Sequence, residues 1–213
     1  MLVKITLDQL AHLAPNARSS YREAVQNGQA VVDEFKISAN PLRIAHFMAQ
    51  VLHESGGLAI QFENLNYSAA RLPKVWPSRF QPRGPLNPAA YANNARKLAN
   101  EVYGGRMGNS GPDDGFTYRG RGLLQLTGKA SYRLATEHLR QSHPEAPDFL
   151  AFPDEVISAR WCLAVAASEW SIKGCNALAD QDDIRKITRA INGGQIGLAD
   201  RMDWLVRTRA VWN

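Results

Sequence analysis

The apolar pattern between Pro41 and Gly57 constrains the fold more than any other part of the chain. Five apolar residues fall at the i, i+3, i+4, i+7 and i+8 positions of one helix face: Ile44, Phe47, Met48, Val51 and Leu52. Pro41 stands where a first helical turn tolerates proline, and Gly56 and Gly57 are residues at which a helix stops. The pattern predicts a helix that packs one face into a hydrophobic core.

The last turn of this helix carries Glu54, in the sequence His53-Glu54-Ser55-Gly56-Gly57. At about 100° per residue, Glu54 falls on the flank of the apolar stripe, whereas His46 and His53 point away from it. Partial shielding from water favours the protonated form of a carboxyl group, so Glu54 is a candidate general acid. A solvated surface glutamate is the alternative that this helix alone leaves open.

A zinc site is the other chemistry that a His-Glu pair on a helix suggests. The zinc-protease motif requires a second histidine four residues after the first, and position 57 is a glycine. His46 and His53 lack the nearby cysteine or further carboxylate ligands that zinc needs. We therefore expect neither a metal nor any other cofactor.

The rest of the chain predicts a mostly helical protein. Its 213 residues, 45% of them apolar, can bury a full core as a single domain or as two lobes sharing one core. Strict alternation of the kind that strands show is scarce. Helices are expected from near Thr6, where Thr6-Leu7-Asp8-Gln9 resembles a capping box, from near Asn16, and over residues 154–173, 182–191 and 198–212. Cys162 lies in an apolar run and predicts a core position, while a bridge to Cys175 stays open.

Two irregular segments interrupt the helices. Residues 72–88 contain five prolines, together with Trp76 and Phe80, and prolines this close together exclude a regular helix or a central strand. Residues 104–115 contain five glycines and predict an exposed loop. Long loops within a compact domain are often cleft walls or lids, and simple surface excursions are the alternative.

Residues 118–128 follow the glycine-rich loop and read Tyr-Arg-Gly-Arg-Gly-Leu-Leu-Gln-Leu-Thr-Gly. Small glycines between long donors are typical of a backbone that closely approaches another group. A solvated turn is one alternative, and a fragment of an RNA-binding tract is another, which the single copy disfavours.

The motifs at residues 53–57, 118–127 and 191–194 (Ile-Asn-Gly-Gly), in this order, resemble glycoside hydrolase family 19, and within it the phage-type endolysin branch rather than the plant chitinases. The similarity runs from about Leu42 to Trp212. It implies a mainly α, lysozyme-like, two-lobed helical fold with a substrate groove between the lobes. Residues 1–213 are expected to form one catalytic domain, with residues 72–88 and 104–115 lining the groove and no separate wall-binding module.

The resemblance assigns the general acid to Glu54, and the hydroxyl that holds the attacking water to Thr127. Glycoside hydrolysis needs a second carboxylate. The plant spacing reaches Trp76 and does not transfer, so Glu63, in the strand or turn expected over residues 60–64, is the candidate. A surface glutamate is its alternative. An inverting reaction requires the two carboxyl groups to lie about 6.5–9.5 Å apart.

The same resemblance places six further residues in contact with the sugar chain: His53, Tyr118, Arg119, Arg121, Gln125 and Asn192. Gln125 can present its amide beside Thr127 if this stretch is extended. Asn192 can bind a sugar acetamido group and can also be a helix C-cap, and both can hold.

The resemblance implies an endolysin that hydrolyses the β-1,4 glycosidic bonds of bacterial peptidoglycan and lyses the host cell. Plant chitinases carry a Tyr-Asn pair after the hydroxyl residue, whereas this chain has Ala130-Ser131, which disfavours chitin. A family 19 chitinase acting on chitin oligomers is the main alternative. A non-catalytic glycan-binding module or a nucleic-acid binder is a third, disfavoured by the two glutamates and by the lack of a basic motif.

The formal charge of +5, from 25 Lys and Arg against 20 Asp and Glu, favours anionic partners such as the bacterial wall. No export signal or membrane span is recognisable. We expect synthesis in the host cytoplasm, action on the cell wall as a monomer, dependence on a holin for access, and binding to neither nucleic acid nor the membrane interior.

Overall fold

A computed structural model describes residues 2–213, and the fold is mainly α-helical, as predicted. β structure among these residues is limited to isolated bridges, such as the one between Arg121 and Leu126. The α-helices are α1 (Leu7–Leu13), α2 (Ser19–Gln26), α3 (Gln29–Glu34), α4 (Pro41–Glu54), α5 (Leu72–Val75), α6 (Ala95–Tyr103), α7 (Asp114–Thr117), α8 (Lys129–Leu139), α9 (Cys162–Ile172), α10 (Cys175–Asp180), α11 (Ile184–Asn192) and α12 (Leu198–Val211). Short 3-10 helices cover Ile37–Ala39, Pro88–Ala90 and Pro153–Ile157.

Helix α4 confirms the predicted stripe and its predicted ends. The Asn40 side chain caps it by accepting a hydrogen bond from the Arg43 backbone N–H at 2.9 Å, and Pro41 occupies the first turn. All five stripe residues are buried. Beyond Glu54, Gly56 and Gly57 take positive φ angles, and the Gly57 N–H bonds the Leu52 carbonyl at 2.7 Å, which ends the helix.

The chain divides into two compact units. The first comprises the chain up to Gln61, Arg121–Leu126 and Arg133–Asn213. Within it, α4 packs along α12 through a cluster that includes Ala45 and Leu205, and the Thr208 hydroxyl donates to the Ala45 carbonyl at 2.9 Å. Helix α4 is therefore covered on more than its predicted stripe.

This second covered side corrects the prediction for His46. Its side chain is fully buried instead of pointing to solvent, and its Nε2 lies 2.8 Å from Asp182 Oδ1. A single apolar stripe underestimates the buried surface of a helix that packs against several neighbours, because small residues such as Ala45 and Ala49 also form contact surfaces.

The other predicted helices begin and end close to their expected positions, with one exception. Thr6 forms the predicted capping box with Gln9, α2 begins at Ser19, and α11 and α12 match residues 182–191 and 198–212. The helix predicted over residues 154–173 is shorter, because residues 153–157 form a 3-10 helix and Ser158 is extended, so that α9 begins at Cys162. Pro153 and the extended Ser158 thus divide the single helix that the apolar run predicted.

The second unit comprises Phe62–Gly120 and Thr127–Tyr132. Its core is a cluster of buried residues, against which Tyr67, Trp76 and Tyr103 pack: Leu65, Leu72, Phe80, Leu98, Ala99 and Val102. Residues 72–88 are irregular apart from the four-residue helix α5 and the start of a 3-10 helix, and residues 104–115 form a loop that ends in α7, as predicted.

Both cysteines, Cys162 and Cys175, are free and buried, so the core position predicted for Cys162 is confirmed. None of the helices formed by residues 2–213 has the length and apolar content needed to cross a membrane.

Candidate active site

Glu54 is held by a buried arginine of the first unit. Arg201, in the first turn of α12, donates from Nη2 to Glu54 Oε1 and from Nη1 to Gln50 Oε1. The Arg201 side chain is 2% exposed and that of Glu54 is 16% exposed. Gln50 lies one helical turn before Glu54, so one guanidinium fork binds two successive turns of α4. The partial shielding predicted for Glu54 is confirmed, and its carboxyl group has a fixed orientation.

The neighbouring pair His53 and Asp200 repeats this connection between α4 and α12. His53 Nδ1 lies 2.5 Å from Asp200 Oδ2. Gly197, the N-cap of α12, has a φ of 73°, and a Cβ added there would lie 2.7 Å from the His53 ring. Only glycine fits both requirements, so His53 is wedged between Asp200 and the α12 N-terminus. The substrate contact predicted for His53 stays a prediction.

Glu169 is a second, unpredicted carboxyl group near Glu54. Its Oε1 lies 3.7 Å from Lys173 Nζ, which also donates to the Ala190 carbonyl at 2.8 Å, and its Oε2 has no hydrogen-bond partner among residues 2–213. Burial raises the pKa of Glu169 to about 7, and the Glu54 carboxylate adds to this rise while Lys173 opposes it. Glu169 therefore holds a proton at mildly acidic pH.

The difference in free energy of unfolding between Glu169→Gln and the parent should increase with pH, in favour of the variant. Between the ordinary pKa near 4.5 and the folded-state pKa of about 7, the folded parent keeps a proton that the unfolded chain releases. The parent therefore loses stability as pH rises through this window, by up to about 3 kcal/mol, and Glu169→Gln does not. Urea unfolding of both proteins between pH 4.5 and 7.5 measures the difference. A difference independent of pH would show that Glu169 is ionised in the folded protein.

Glu63 belongs to the second unit and is held by hydrogen bonds to both of its oxygens. The Gly120 backbone N–H donates to Oε1 at 2.5 Å, and the Tyr103 hydroxyl donates to Oε2 at 2.6 Å. The Glu63 N–H bonds the Gly120 carbonyl at 3.0 Å, so the main chain also ties residue 63 to residue 120. Burial, reinforced by the Glu63 carboxylate, raises the pKa of Tyr103, which keeps its hydroxyl a donor. Such a carboxyl group is not an ordinary surface glutamate.

Tyr103→Phe should reduce hydrolysis by about tenfold, because Glu63 loses one of the two donors that orient it. The free energy of unfolding should fall by about 1–2 kcal/mol. Rates of reducing-end release and urea unfolding measure the two effects. Tyr91→Phe is the matched control, since the Tyr91 hydroxyl donates at 3.3 Å to Glu101, a carboxylate with no proposed role in the reaction. Equal loss of activity in the control would remove the special role of Tyr103.

Tyr118 and Arg119 are packed by aromatic groups of the second unit. The Tyr118 ring meets Tyr132 edge-on at 5.3 Å, and the Arg119 guanidinium lies over Phe62 and Phe116 at 4.7 and 4.1 Å. Tyr118 is buried and Arg119 is partly buried. Arg119 also donates from Nη1 to the Phe116 carbonyl at 2.8 Å. The sugar contacts predicted for both residues stay predictions.

The structure corrects one of two predictions for residues 121–126. Arg121 is only 2% exposed, with Nη1 3.5 Å from Asp154 Oδ1, and the sugar contact predicted for it stays a prediction. Residues 122–125 form a turn, closed by reciprocal backbone hydrogen bonds between Arg121 and Leu126, and not an extended stretch. Gln125 has a φ of 53° and donates from Nε2 to the Gly122 carbonyl at 3.0 Å.

The glycines of this region allow close approach, as predicted, but to the protein's own chain. A Cβ on Gly128 would lie 2.5 Å from Met107 Cβ, and one on Gly122 would lie 2.9 Å from Val156 Cγ1. Both glycines also have positive φ angles. Their spacing is therefore explained by packing inside the protein.

Thr127 and Asn192 lie at helix boundaries. Thr127 is partly buried, and only Gly128 separates it from the start of α8. Asn192 is the last residue of α11 and is exposed, and Gly193 follows with the left-handed φ of 74° that is typical of a helix end. The helix ends within the predicted Asn-Gly-Gly turn, but its C-cap is Gly193 and not Asn192. The substrate role of Asn192 stays a prediction.

Arg201, Glu169 and Tyr103 are the site residues that sequence reasoning missed. Arg201 stands in the first turn of a helix, where cations are unfavourable, and this could have marked it as having a special partner. Glu169 is the one charged residue in the mostly apolar helix α9. Tyr103 gave no signal, because its partner lies 40 residues earlier.

Most glycoside hydrolases use two carboxyl groups, and Glu54 and Glu63 are each held by hydrogen bonds within their own unit. Comparison with known proteins gives the family. No protein-family model matches the chain. A Haemophilus influenzae protein described as a glycosyl hydrolase family 19 domain-containing protein is 36% identical over 165 residues, 76% of each chain. The chain belongs to glycoside hydrolase family 19 and is a glycoside hydrolase.

Solved structures share the fold. A bacterial family 19 chitinase is 19% identical, with a TM-score of 0.64 over 98% of this chain and 95% of that one. Chitinase C from Streptomyces griseus is 18% identical, with a TM-score of 0.60 over 98% and 92%. A class IV chitinase from Zea mays is 18% identical, with a TM-score of 0.55 over 97% and 90%. These likenesses support the predicted lysozyme-like helical fold.

Proposed function

We propose that this glycoside hydrolase cleaves the β-1,4 bonds of bacterial peptidoglycan by inversion, with Glu54 as the general acid and Glu63 as the general base. One observation carries the assignment: each carboxyl group is oriented by its own network. Arg201 binds Glu54, and Tyr103 with the Gly120 N–H binds Glu63. Glycoside hydrolysis needs one carboxyl group that gives a proton and one that accepts it.

In this reaction Glu54 gives its proton to the glycosidic oxygen as the bond to the anomeric carbon breaks. Positive charge develops on the sugar ring, and water attacks the opposite face of the anomeric carbon. Glu63 takes a proton from that water, which the Thr127 hydroxyl holds by accepting and donating hydrogen bonds. The new hydroxyl has inverted configuration, and proton exchange with solvent restores both carboxyl groups.

Two features support peptidoglycan as the substrate. The chain has Ala130-Ser131 where plant chitinases carry a Tyr-Asn pair, and Ala130 is exposed. The formal charge of +5 suits a polymer whose peptides carry carboxylates. The motifs at residues 53–57 and 118–127 further favour the endolysin branch, and with it a role in host lysis.

A chitinase is the second candidate, since the similar solved structures are titled as chitinases. Reducing-end release from purified Gram-negative peptidoglycan and from soluble chitin oligomers, run in parallel, tests the choice. Cleavage of peptidoglycan is the expected result, and cleavage of chitin alone would assign the chitinase. NMR of the first-formed product gives the anomer, and retained configuration would contradict the inverting mechanism.

We also propose that the enzyme acts as a phage endolysin whose access to the wall depends on a holin. Expression in the cytoplasm of Gram-negative cells should leave them intact until the inner membrane is permeabilised, and turbidity should then fall rapidly. Lysis without permeabilisation would contradict the need for a holin. Cells that express Glu54→Gln control for lysis caused by permeabilisation itself.

A further inference from the structure

The net positive charge of the chain comes from one of its two units. The second unit, Phe62–Gly120 with Thr127–Tyr132, contains nine Lys and Arg residues against four Asp and Glu residues. The excess of five equals the formal charge of the whole chain, because the first unit contains 16 of each sign. A uniform basic surface would distribute the excess over both units, so the excess is a property of the second unit, where it favours anionic partners.

The four acids of the second unit all have partners within it. Glu101 pairs with Arg79, Asp113 with Arg96, and Asp114 with Lys129. Both oxygens of Glu63 are hydrogen-bonded by Tyr103 and the Gly120 N–H. None of these four acids forms an ion pair with the remaining cations of the unit among residues 2–213. Five of the remaining cations are exposed and form no ion pair among residues 2–213: Arg71, Lys74, Arg83, Lys97 and Arg106. Lys97 also lies over the Tyr91 ring, and Arg106 donates to the Val102 carbonyl.

Lys74 and Arg83 face the same small cleft, of about 260 Å³, whose other lining residues are Pro73, Pro77, Phe80 and Pro82. We call these six residues the basic cleft. Its apolar surface is contributed by the three prolines, and Phe80 is fully buried. The cleft therefore offers two separated cations above a largely apolar surface.

The backbone around the basic cleft is well fixed. Phe80 and Leu72 belong to the core cluster of the unit, which also contacts Tyr103, the partner of Glu63. Residues 80–86 form a tight loop, in which the Gly84 N–H bonds the Phe80 carbonyl at 2.9 Å and the Gln81 N–H bonds the Leu86 carbonyl at 2.9 Å. Proline further restricts this backbone. Lys74 and Arg83 thus extend from a backbone that is held in place by the same core cluster against which Tyr103 packs.

We propose that the basic cleft binds the carboxylates of the stem peptides on peptidoglycan strands, and this rests on the proposed function. Stem peptides combine carboxylates with short alkyl side chains, which match two cations over a proline-lined floor. Neutral chitin has no carboxylate for Lys74 and Arg83. The cleft thereby favours the peptide-bearing glycan through substrate affinity and leaves the chemical step unchanged.

The binding test uses the full chain carrying Glu54→Gln, so that sacculi are not digested. Its affinity is measured by co-sedimentation with intact Gram-negative sacculi, and by fluorescence polarisation with labelled, soluble glycan strands whose stem peptides an amidase has removed. The test chain adds Lys74→Gln and Arg83→Gln. The control chain adds Arg22→Gln and Arg185→Gln, two exposed arginines of the first unit with no ion pair among residues 2–213. Both chains lose two positive charges, and circular dichroism checks their folding.

We expect the test chain to bind intact sacculi about tenfold more weakly than Glu54→Gln alone at low salt, and the control chain less than twofold more weakly. This difference should shrink as salt rises. On stripped strands the three chains should bind alike. Equal weakening in the test and control chains would indicate an effect of net charge alone. Equal weakening of the test chain on intact sacculi and on stripped strands would indicate binding to the glycan. Unchanged binding of the test chain to sacculi would reject the basic cleft as a binding site. Each of these three results overturns the proposal.

A kinetic test separates this proposal from the proposed function. In the active chain, Lys74→Gln with Arg83→Gln should raise KM for peptidoglycan severalfold, leave kcat unchanged, and leave hydrolysis of chitin oligomers unchanged. An unchanged KM for peptidoglycan would overturn the basic cleft while leaving the hydrolase intact. If the parent releases no reducing ends from peptidoglycan, the proposed function fails, and sedimentation with sacculi still decides the cleft.

Discussion

Glu54→Gln should lower hydrolysis of peptidoglycan by about 10²- to 10⁴-fold, which is the range that a positioned general acid contributes. Glutamine keeps the size and the carbonyl acceptor of the side chain, so Arg201 can still donate to it. It cannot give a proton to the leaving oxygen. The expected result is a folded protein with nearly unchanged substrate binding and a greatly reduced kcat, measured by reducing-end release and by sedimentation with sacculi.

Glu137→Gln is the matched control for this prediction, because Glu137 is an exposed glutamate of the same unit with no ion pair among residues 2–213. It should leave kcat within twofold of the parent. Comparable activity in Glu54→Gln and the parent would remove Glu54 from the reaction. The acid would then have to be sought elsewhere, with Glu169, whose pKa is about 7, as the first candidate.

Local features of the fold could be predicted from sequence because the signals and their partners lie within one or two turns. The Thr6 capping box, the Asn40-Pro41 start of α4, and the glycines after Glu54 each act on neighbouring backbone groups. Apolar periodicity then gave the buried face of α4. The helix expected from residue 154 failed because one apolar run does not show where a proline and a turn divide it.

The site could be predicted only in part, because its networks are long-range. Arg201 lies 147 residues after Glu54, and Gly120 lies 57 residues after Glu63. The motif resemblance supplied Glu54, Glu63 and Thr127 as candidates, but it could not show which groups orient them. The burial of Arg121 was equally out of reach, because its contact Asp154 lies 33 residues later in the sequence.

Two buried groups of the first unit should give opposite pH dependences. Burial lowers the pKa of His46 to about 4, and the charge of Arg209 adds to this decrease. Below pH 6.5 this histidine therefore binds a proton in the unfolded chain, whereas in the folded protein it stays neutral down to about pH 4. Stability from His46 therefore rises with pH between about 4 and 6.5, whereas that from Glu169 falls between about 4.5 and 7. The two slopes offset each other in the parent, so Glu169→Gln should reveal the rise due to His46.

Arg201→Ala should destabilise the protein by about 3–5 kcal/mol and abolish measurable hydrolysis. The substitution removes a buried cation that joins α12 to two turns of α4, and it leaves Glu54 and Gln50 without their donor. Arg201→Lys keeps the charge but cannot present a planar fork to both partners, so it should fall between the alanine variant and the parent. Urea unfolding at pH 7, together with rates measured below each unfolding midpoint, gives both quantities.

A double-mutant cycle distinguishes an ion pair from simple packing at Arg201. In a Glu54→Gln background, Arg201→Ala leaves a neutral amide and not an uncompensated carboxylate, so its cost should be smaller than in the parent. Arg185→Ala, an exposed arginine of the same unit, should change stability by less than about 0.5 kcal/mol. Equal costs of Arg201→Ala in both backgrounds would show that the guanidinium stabilises α12 by packing, and that Glu54 is oriented by other groups.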